Sequence, residues 1–94
     1  MSGQSFQVVQ NPPDTVSVSG ALTFATAAAA LEVIRAALPG RQVLDLAGVD
    51  HSDSAGLACV LAVLAPNGGK VRVRHVPQGM QQLAKVCEVD GLLG

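Results

Sequence analysis

The sequence has no tryptophan and no tyrosine, and its only aromatic side chains are Phe6 and Phe24. Without more rings there is no platform on which nucleobases could stack. Nor does charge of either sign dominate: 6 Lys+Arg stand against 7 Asp+Glu, a formal net charge of −1. That balance excludes the electrostatic footprint for nucleic acid or an anionic membrane surface. No apolar run approaches the roughly 20 residues needed to cross a bilayer. The opening Met-Ser-Gly-Gln-Ser-Phe-Gln lacks the basic start and apolar stretch of a secretory signal, so the expectation is a cytoplasmic chain. Cysteine is sparse. Cys59 and Cys87 have no CxxC spacing and, with His51 and His75, make no zinc-ligand pattern, so no metal or cofactor is expected. Both cysteines fall in helical patterns and read as small buried hydrophobes.

What the chain has in abundance is apolar side chains: 49% of its 94 residues. The length is that of one domain, residues 1–94, too small to enclose a deep substrate cavity. Small domains have proportionally more surface, so part of that apolar content must lie near the outside, where it meets a partner.

Phe6–Gln10 reads as a short strand ended by the turn signal Asn11-Pro12-Pro13-Asp14. Thr15–Ser19 alternates and is rich in β-branched residues, a strand hairpinned to the first. A helix capped by Thr23 is expected to run to about Leu38, with Phe24, Leu31, Ile34 and Leu38 on one apolar stripe. Val43–Ala47 is apolar enough for a central strand, followed by a polar loop from Val49 into a helix over Leu57–Ala65. Pro66-Asn67-Gly68-Gly69 closes that helix. Lys70–Val76 alternates apolar and basic, an edge strand. Pro77 opens a last helix with Met80, Leu83, Ala84 and Cys87 inward, and Gly91 ends it. The order β-β-α-β-α-β-α implies an α/β fold with a mixed, mostly parallel sheet of about four strands and three helices packed on it.

The second helix carries most of the information. On a wheel of about 100° per residue, Leu57, Val60, Leu61 and Leu64 cluster toward the sheet. The opposite side holds Ala55, Ala58, Cys59, Ala62 and Ala65, and no charged residue lies between Ser54 and Ala65. A helix on a sheet normally turns a polar side to water. Either neighbouring helices hide this strip, or it admits another protein's helix; with few elements left to hide it, the second reading is preferred.

At the start of that helix stand His51, Ser52, Asp53 and Ser54. Asp53 or Ser54 can accept hydrogen bonds from the free amides of the first turn. Ser54 also presents a hydroxyl to a partner or a kinase. A phosphate there suits the helix N-terminus yet disrupts a dry interface. A hydrolase triad is not expected, because adjacent residues on one loop cannot supply its mutual geometry. Ser52-Asp-Ser-Ala-Gly56 also lacks the first glycine of the nucleophile elbow. Gly68-Gly69-Lys70 lacks the rest of a phosphate-loop pattern.

Val43-Leu-Asp-Leu-Ala-Gly-Val-Asp-His-Ser-Asp-Ser-Ala-Gly-Leu57 resembles the core motif of the STAS domain family, a strand ending in Asp-Leu and then Asp-Ser/Thr-small-Gly-Leu opening a helix. Val18-Ser-Gly-Ala-Leu22 is similar to the family's earlier strand end, and Leu83–Leu93 to its final helix and tail. The resemblance implies a non-catalytic, partner-binding module. In the anti-sigma factor antagonists of the family, the phosphorylated serine directly precedes the motif glycine; here that position is Ala55, and the hydroxyl sits at Ser54. That arrangement looks more like the MlaB group, which binds the ATPase subunit of the Mla phospholipid-transport ABC complex on the cytoplasmic face of the inner membrane. In that group a threonine at the position matching Ser54 lies at the contact. The resemblance thus implies a partner-binding set of Asp53, Ser54, Ala55, Gly56, Ala58, Cys59 and Ala62. The alternative is an antagonist that binds an anti-sigma kinase, with Ser54 as its phosphosite.

Overall fold

The computed structural model describes residues 5–67 and 70–93. Strands β1 (Phe6–Asn11) and β2 (Thr15–Leu22) form an antiparallel hairpin, with Val8 opposite Val18 and Asn11 opposite Thr15. Two prolines leave the chain no amides with which to extend the ladder, so the turn falls at Pro12–Asp14. β2 then pairs in parallel with β3 (Val43–Ser52), and β3 with β4 (Arg72–Arg74), giving a mixed sheet in the order β1-β2-β3-β4. Helices α1 (Ala27–Ala37), α2 (Ser54–Leu64) and α3 (Gln78–Val86) complete the expected α/β order.

Both parallel crossovers step the same way along the sheet. A right-handed connection therefore puts α1 and α2 on one face, and α3 packs beside α2. The inward side chains of the strands, Val16, Val18, Leu44 and Leu46, are buried under Ile34, Val60, Val63, Met80 and Ala84. Thr15, Ser17 and Asp45 alternate with them and are only half-buried. The molecule is two layers thick, and the opposite sheet face carries Thr15, Ser17 and Asp45 together with Val9, Val43, Arg72 and Arg74.

Several boundaries depart from expectation. α1 begins one turn later, with Thr26 rather than Thr23 at its N-cap. The Thr26 hydroxyl donates to the Ala21 carbonyl (2.7 Å) and accepts from the Thr23 amide (3.0 Å), tying the end of β2 to the helix. Phe24 consequently lies upstream of the helix and off its apolar stripe. β3 continues through Asp50 and His51 to Ser52, where a polar loop was expected, because β2 keeps pairing with it as far as Leu22 opposite Ser52. β4 is only three residues long. Cys87 is exposed rather than inward: it is the C-cap of α3, past the last turn that touches the core. The left-handed residue after α3 is Glu88 (φ 59), while Gly91 sits in a short 3-10 turn, Asp90–Leu93. The Gly68-Gly69 pair expected to help close α2 lies outside the described residues; Ala65–Asn67 form a 3-10 turn there.

Candidate functional site

α2 begins where the strands end. Asp53, in extended conformation, is its N-cap: one carboxylate oxygen accepts from the amides of Ala55 (2.9 Å) and Gly56 (3.1 Å). The other accepts from the amide of Phe24 (3.0 Å) in the β2–α1 turn. One side chain thus fixes two segments to each other. The Phe24 amide, together with those of Gly56 and Ala55, outweighs partial burial and holds the Asp53 carboxyl below its ordinary pKa. Capping accounts for Asp53, as expected from its place before the helix.

Gly56 explains why α2 can start so close to the sheet. It is buried, and a Cβ there would collide with the Leu22 carbonyl oxygen. Close backbone approach, not a positive φ, is what demands glycine here. Gly20, at φ 87, is the second required glycine, since a Cβ would meet the Ser5 carbonyl of the incoming chain.

The inward side of α2 is Gly56, Leu57, Cys59, Val60 and Val63, all buried. Leu61 and Leu64, expected to face the sheet, are half-buried. The helix is therefore turned by less than one residue's step of about 100° from the simple wheel. The cause is α1, which flanks α2 closely and draws Cys59 and Val63 inward. Cys59 is thus corrected out of the exposed strip. It lies 4% exposed in the core, where burial pushes its thiol pKa up against a smaller opposing pull from the Arg35 guanidinium of α1. Gly56 likewise offers no free surface.

What remains outward is a continuous strip. Ser54, Ala58 and Ala65 are exposed, and Ala55, Leu61 and Ala62 are half-buried along its margins. These positions recur at helical spacing, and beyond the Ser54 hydroxyl the strip has no polar side chain. Phe24, 88% exposed, stands beside its upper end, because its amide is bonded to the same Asp53 that caps α2. The wheel had assigned this ring to the core. No sequence signal showed its exposure, because the alanine run from Ala27 to Ala30 fits a helix begun at Thr23 as well as one begun at Thr26.

The remaining polar groups do not assemble a reaction centre around Ser54. His51 is paired with Asp50 (2.9 Å), and His75, just past β4, with Asp45 (3.0 Å) near the start of β3. Both Asp53 oxygens are taken by backbone amides. An open pocket lies at the other end of the strands, lined by Asp14, Arg41, Gln42, Lys70 and Arg72 among others, with no serine, cysteine or histidine. No group of three potential metal ligands occurs among the described residues, and no helix there is long and apolar enough to cross a membrane.

Over residues 7–94 the chain matches the family model described as Mlab, STAS domain. No curated protein matches it. The family is in general one of non-catalytic interaction modules.

Proposed function

This chain belongs to the STAS domain family, in the group described as MlaB. From that premise we propose that it is a non-catalytic subunit that binds the ATPase of an Mla-type ABC phospholipid transporter and stabilises or activates it. The observation that carries the reading is the uncharged outward strip of α2, from Ser54 through Ala58 and Ala62 to Ala65, with Phe24 exposed beside it. Small side chains allow another helix to approach closely, and an exposed ring supplies the large buried area typical of interface anchors. In this reading Asp53 and Gly56 position the strip and do not touch the partner. The domain sits in the cytoplasm, peripheral to the inner membrane through its partner. Outer-membrane lipid asymmetry is the process it serves.

Mild-detergent affinity purification of the chain from its native cells, with mass spectrometry of what accompanies it, tests the proposal. An ABC ATPase recovered with its membrane permease supports it; a kinase-like anti-sigma factor in its place overturns it. The strip itself is tested by Ala58→Arg and Ala62→Glu, which should each abolish recovery of the ATPase from a folded domain.

A second reading has one observation in its favour, the exposed Ser54 hydroxyl on the first turn of α2. In an anti-sigma factor antagonist that hydroxyl is the phosphosite. Intact mass after incubation with cell extract and ATP distinguishes the two: an added phosphate at Ser54 favours the antagonist, and an unchanged mass favours the transporter subunit.

A further inference from the structure

The end of the strands remote from Ser54 is locked by backbone hydrogen bonds. Pro39 and Gly40 (φ 81) turn the chain from α1 into β3, and the Arg41 amide closes the turn on the Leu38 carbonyl (2.7 Å). Proline then glycine suits a tight turn that needs a positive φ at its second central residue. The Asp14 carbonyl accepts from the amides of Gln42 (2.8 Å) and Val43 (3.0 Å), and the Gln42 carbonyl from the amide of Arg72 (2.8 Å). The β1–β2 turn and the starts of β3 and β4 are thereby held side by side, and residues of all three line one open cleft. Its volume, about 690 Å³, is within the roughly 300–1,000 Å³ of small-molecule sites.

Charge is unevenly placed there. Arg41, Lys70 and Arg72, three of the chain's 6 Lys+Arg, line the cleft, against Asp14 alone of its 7 Asp+Glu. None of the three cations has a carboxylate partner among the described residues, whereas Arg74, two residues further on, is paired with Asp45 (3.7 Å). Arg41 is fixed in place without being neutralised. Its guanidinium donates to the Pro13 carbonyl (3.0 Å) and to the Gln10 side-chain carbonyl (3.1 Å), both uncharged, and its Nε is buried with no partner. A tie between the β1–β2 hairpin and the α1–β3 turn explains those two bonds. It does not explain why the exposed Lys70 and Arg72 gather round the same opening, since like charges brought together repel. A cleft lined by one sign of charge concentrates small ions of the other.

We propose that this cleft binds a phosphoryl dianion, free or as the head of a small organic phosphate, held by Lys70 and Arg72 against the fixed charge of Arg41. The three cations and Asp14 leave two positive charges in excess, which match the roughly two negative charges of a phosphate monoester at neutral pH. A guanidinium takes two phosphate oxygens at once, and a lysine ammonium adds a mobile point charge. Part of the wall is aliphatic, including Pro39 and Val43, and offers an organic group a surface beside the phosphate. The site shares no residue with the outward strip of α2, so it is independent of the partner proposed there.

Amide chemical-shift titration of the full chain with inorganic phosphate and with glycerol 3-phosphate, at constant ionic strength, tests this. Saturable shifts at the amides of Gly40, Gln42 and Arg72 are expected below about 10 mM, the range of weak binding, with those of Ala55 and Gly56 unmoved. Lys70→Ala and Arg72→Ala should each weaken binding at least about fivefold without disturbing the rest of the spectrum. Asp14→Asn removes the one carboxylate yet keeps an oxygen to accept from the Thr15 hydroxyl, and should tighten binding about twofold. No histidine lines the cleft, so lowering the pH from about 7.5 to about 5.5 should weaken binding about threefold as the phosphate takes up its second proton. Tighter binding of glycerol 3-phosphate supports an organic phosphate, and equal binding supports free phosphate. Absence of saturable shifts from both titrations overturns the proposal, as does affinity unchanged in Lys70→Ala and Arg72→Ala. Shifts confined to Ala55 and Gly56 also overturn it, by moving the anion to the α2 N-terminus.

Discussion

α2 and α3 lie side by side on the same face of the sheet, yet they meet solvent in opposite ways. α3 buries Met80 and Ala84 and turns Gln81, Gln82 and Lys85 outward. α2, only two residues longer, buries Gly56 and four side chains, and turns outward Ser54, Ala58 and its C-cap Ala65 with no charge at all. Flanked by α1 on one side and α3 on the other, α2 buries more of its circumference than α3, but that flanking does not explain why the part left exposed carries no charge. An ordinary surface helix looks like α3. The outward face of α2 departs from that pattern along its whole length, and the departure begins where Asp53 brings Phe24 alongside. A polar surface has been dispensed with where the proposed partner docks.

The comparison is broken most severely at the start of α2. Gly56→Val should cost about 3 kcal/mol or more, because the new side chain overlaps the Leu22 carbonyl and α2 must lift off the sheet. Thermal unfolding followed by circular dichroism reads this as a large drop in Tm.

Placing the same charge on each helix sharpens it. Ala58→Arg should weaken recovery of the ATPase about 100-fold, an unpaired charge in a dry contact, while changing stability by less than about 0.5 kcal/mol. Gln82→Arg on α3 should do neither. Equal effects on binding at the two positions would remove the distinction between the helices.

Phe24→Ala should weaken partner binding about tenfold or more, the usual effect of truncating an aromatic anchor. Its melting curve should not move, since the ring is 88% exposed and supports no part of the core. A fall in Tm with intact binding would return Phe24 to a structural role.

Asp53→Ala is the mildest change, about 1 kcal/mol for a lost cap. It also has a pH signature. The Asp53 carboxyl titrates below its ordinary value in the folded chain, so the folded state binds its proton less readily than the unfolded one. The stabilisation is present above the unfolded carboxyl pKa of about 3.9 and is lost as pH falls through the lower folded value. Denaturant titrations from about pH 5 down to about pH 3 should show wild type and Asp53→Ala converging on the acid side. Asp45 contributes in the same direction. Burial opposes its ionisation, but the Ala47 amide, His75 and Arg74 together hold its pKa down.

Much of this was legible in the residues. Thr15–Ser19 alternates with period two and became a strand with Val16 and Val18 inward. Asp53 before an apolar helix read as a cap and is one. The uncharged stretch from Ser54 to Ala65 marked α2 as unusual before its neighbours were known. Less legible was which side of α2 faces out. A helix with apolar side chains all round gives its wheel no polar pole to orient it, so the rotation that buries Cys59 and half-exposes Leu61 depends on α1. α3 has a clear polar face, and its core residues Met80 and Ala84 were read correctly. Its end was not, because Cys87 falls beyond the last turn in contact with the sheet.

Sequence by itself determined the order of elements, the hairpin at the two prolines and the cap at Asp53. Each is set by backbone chemistry within a few residues. The tertiary structure decided what lies beside what: the Leu22 carbonyl against Gly56, Phe24 next to the α2 N-terminus, and Cys59 under α1. Those depend on hydrogen bonds and packing between residues far apart in the chain, such as Phe24 and Asp53, which no local pattern encodes.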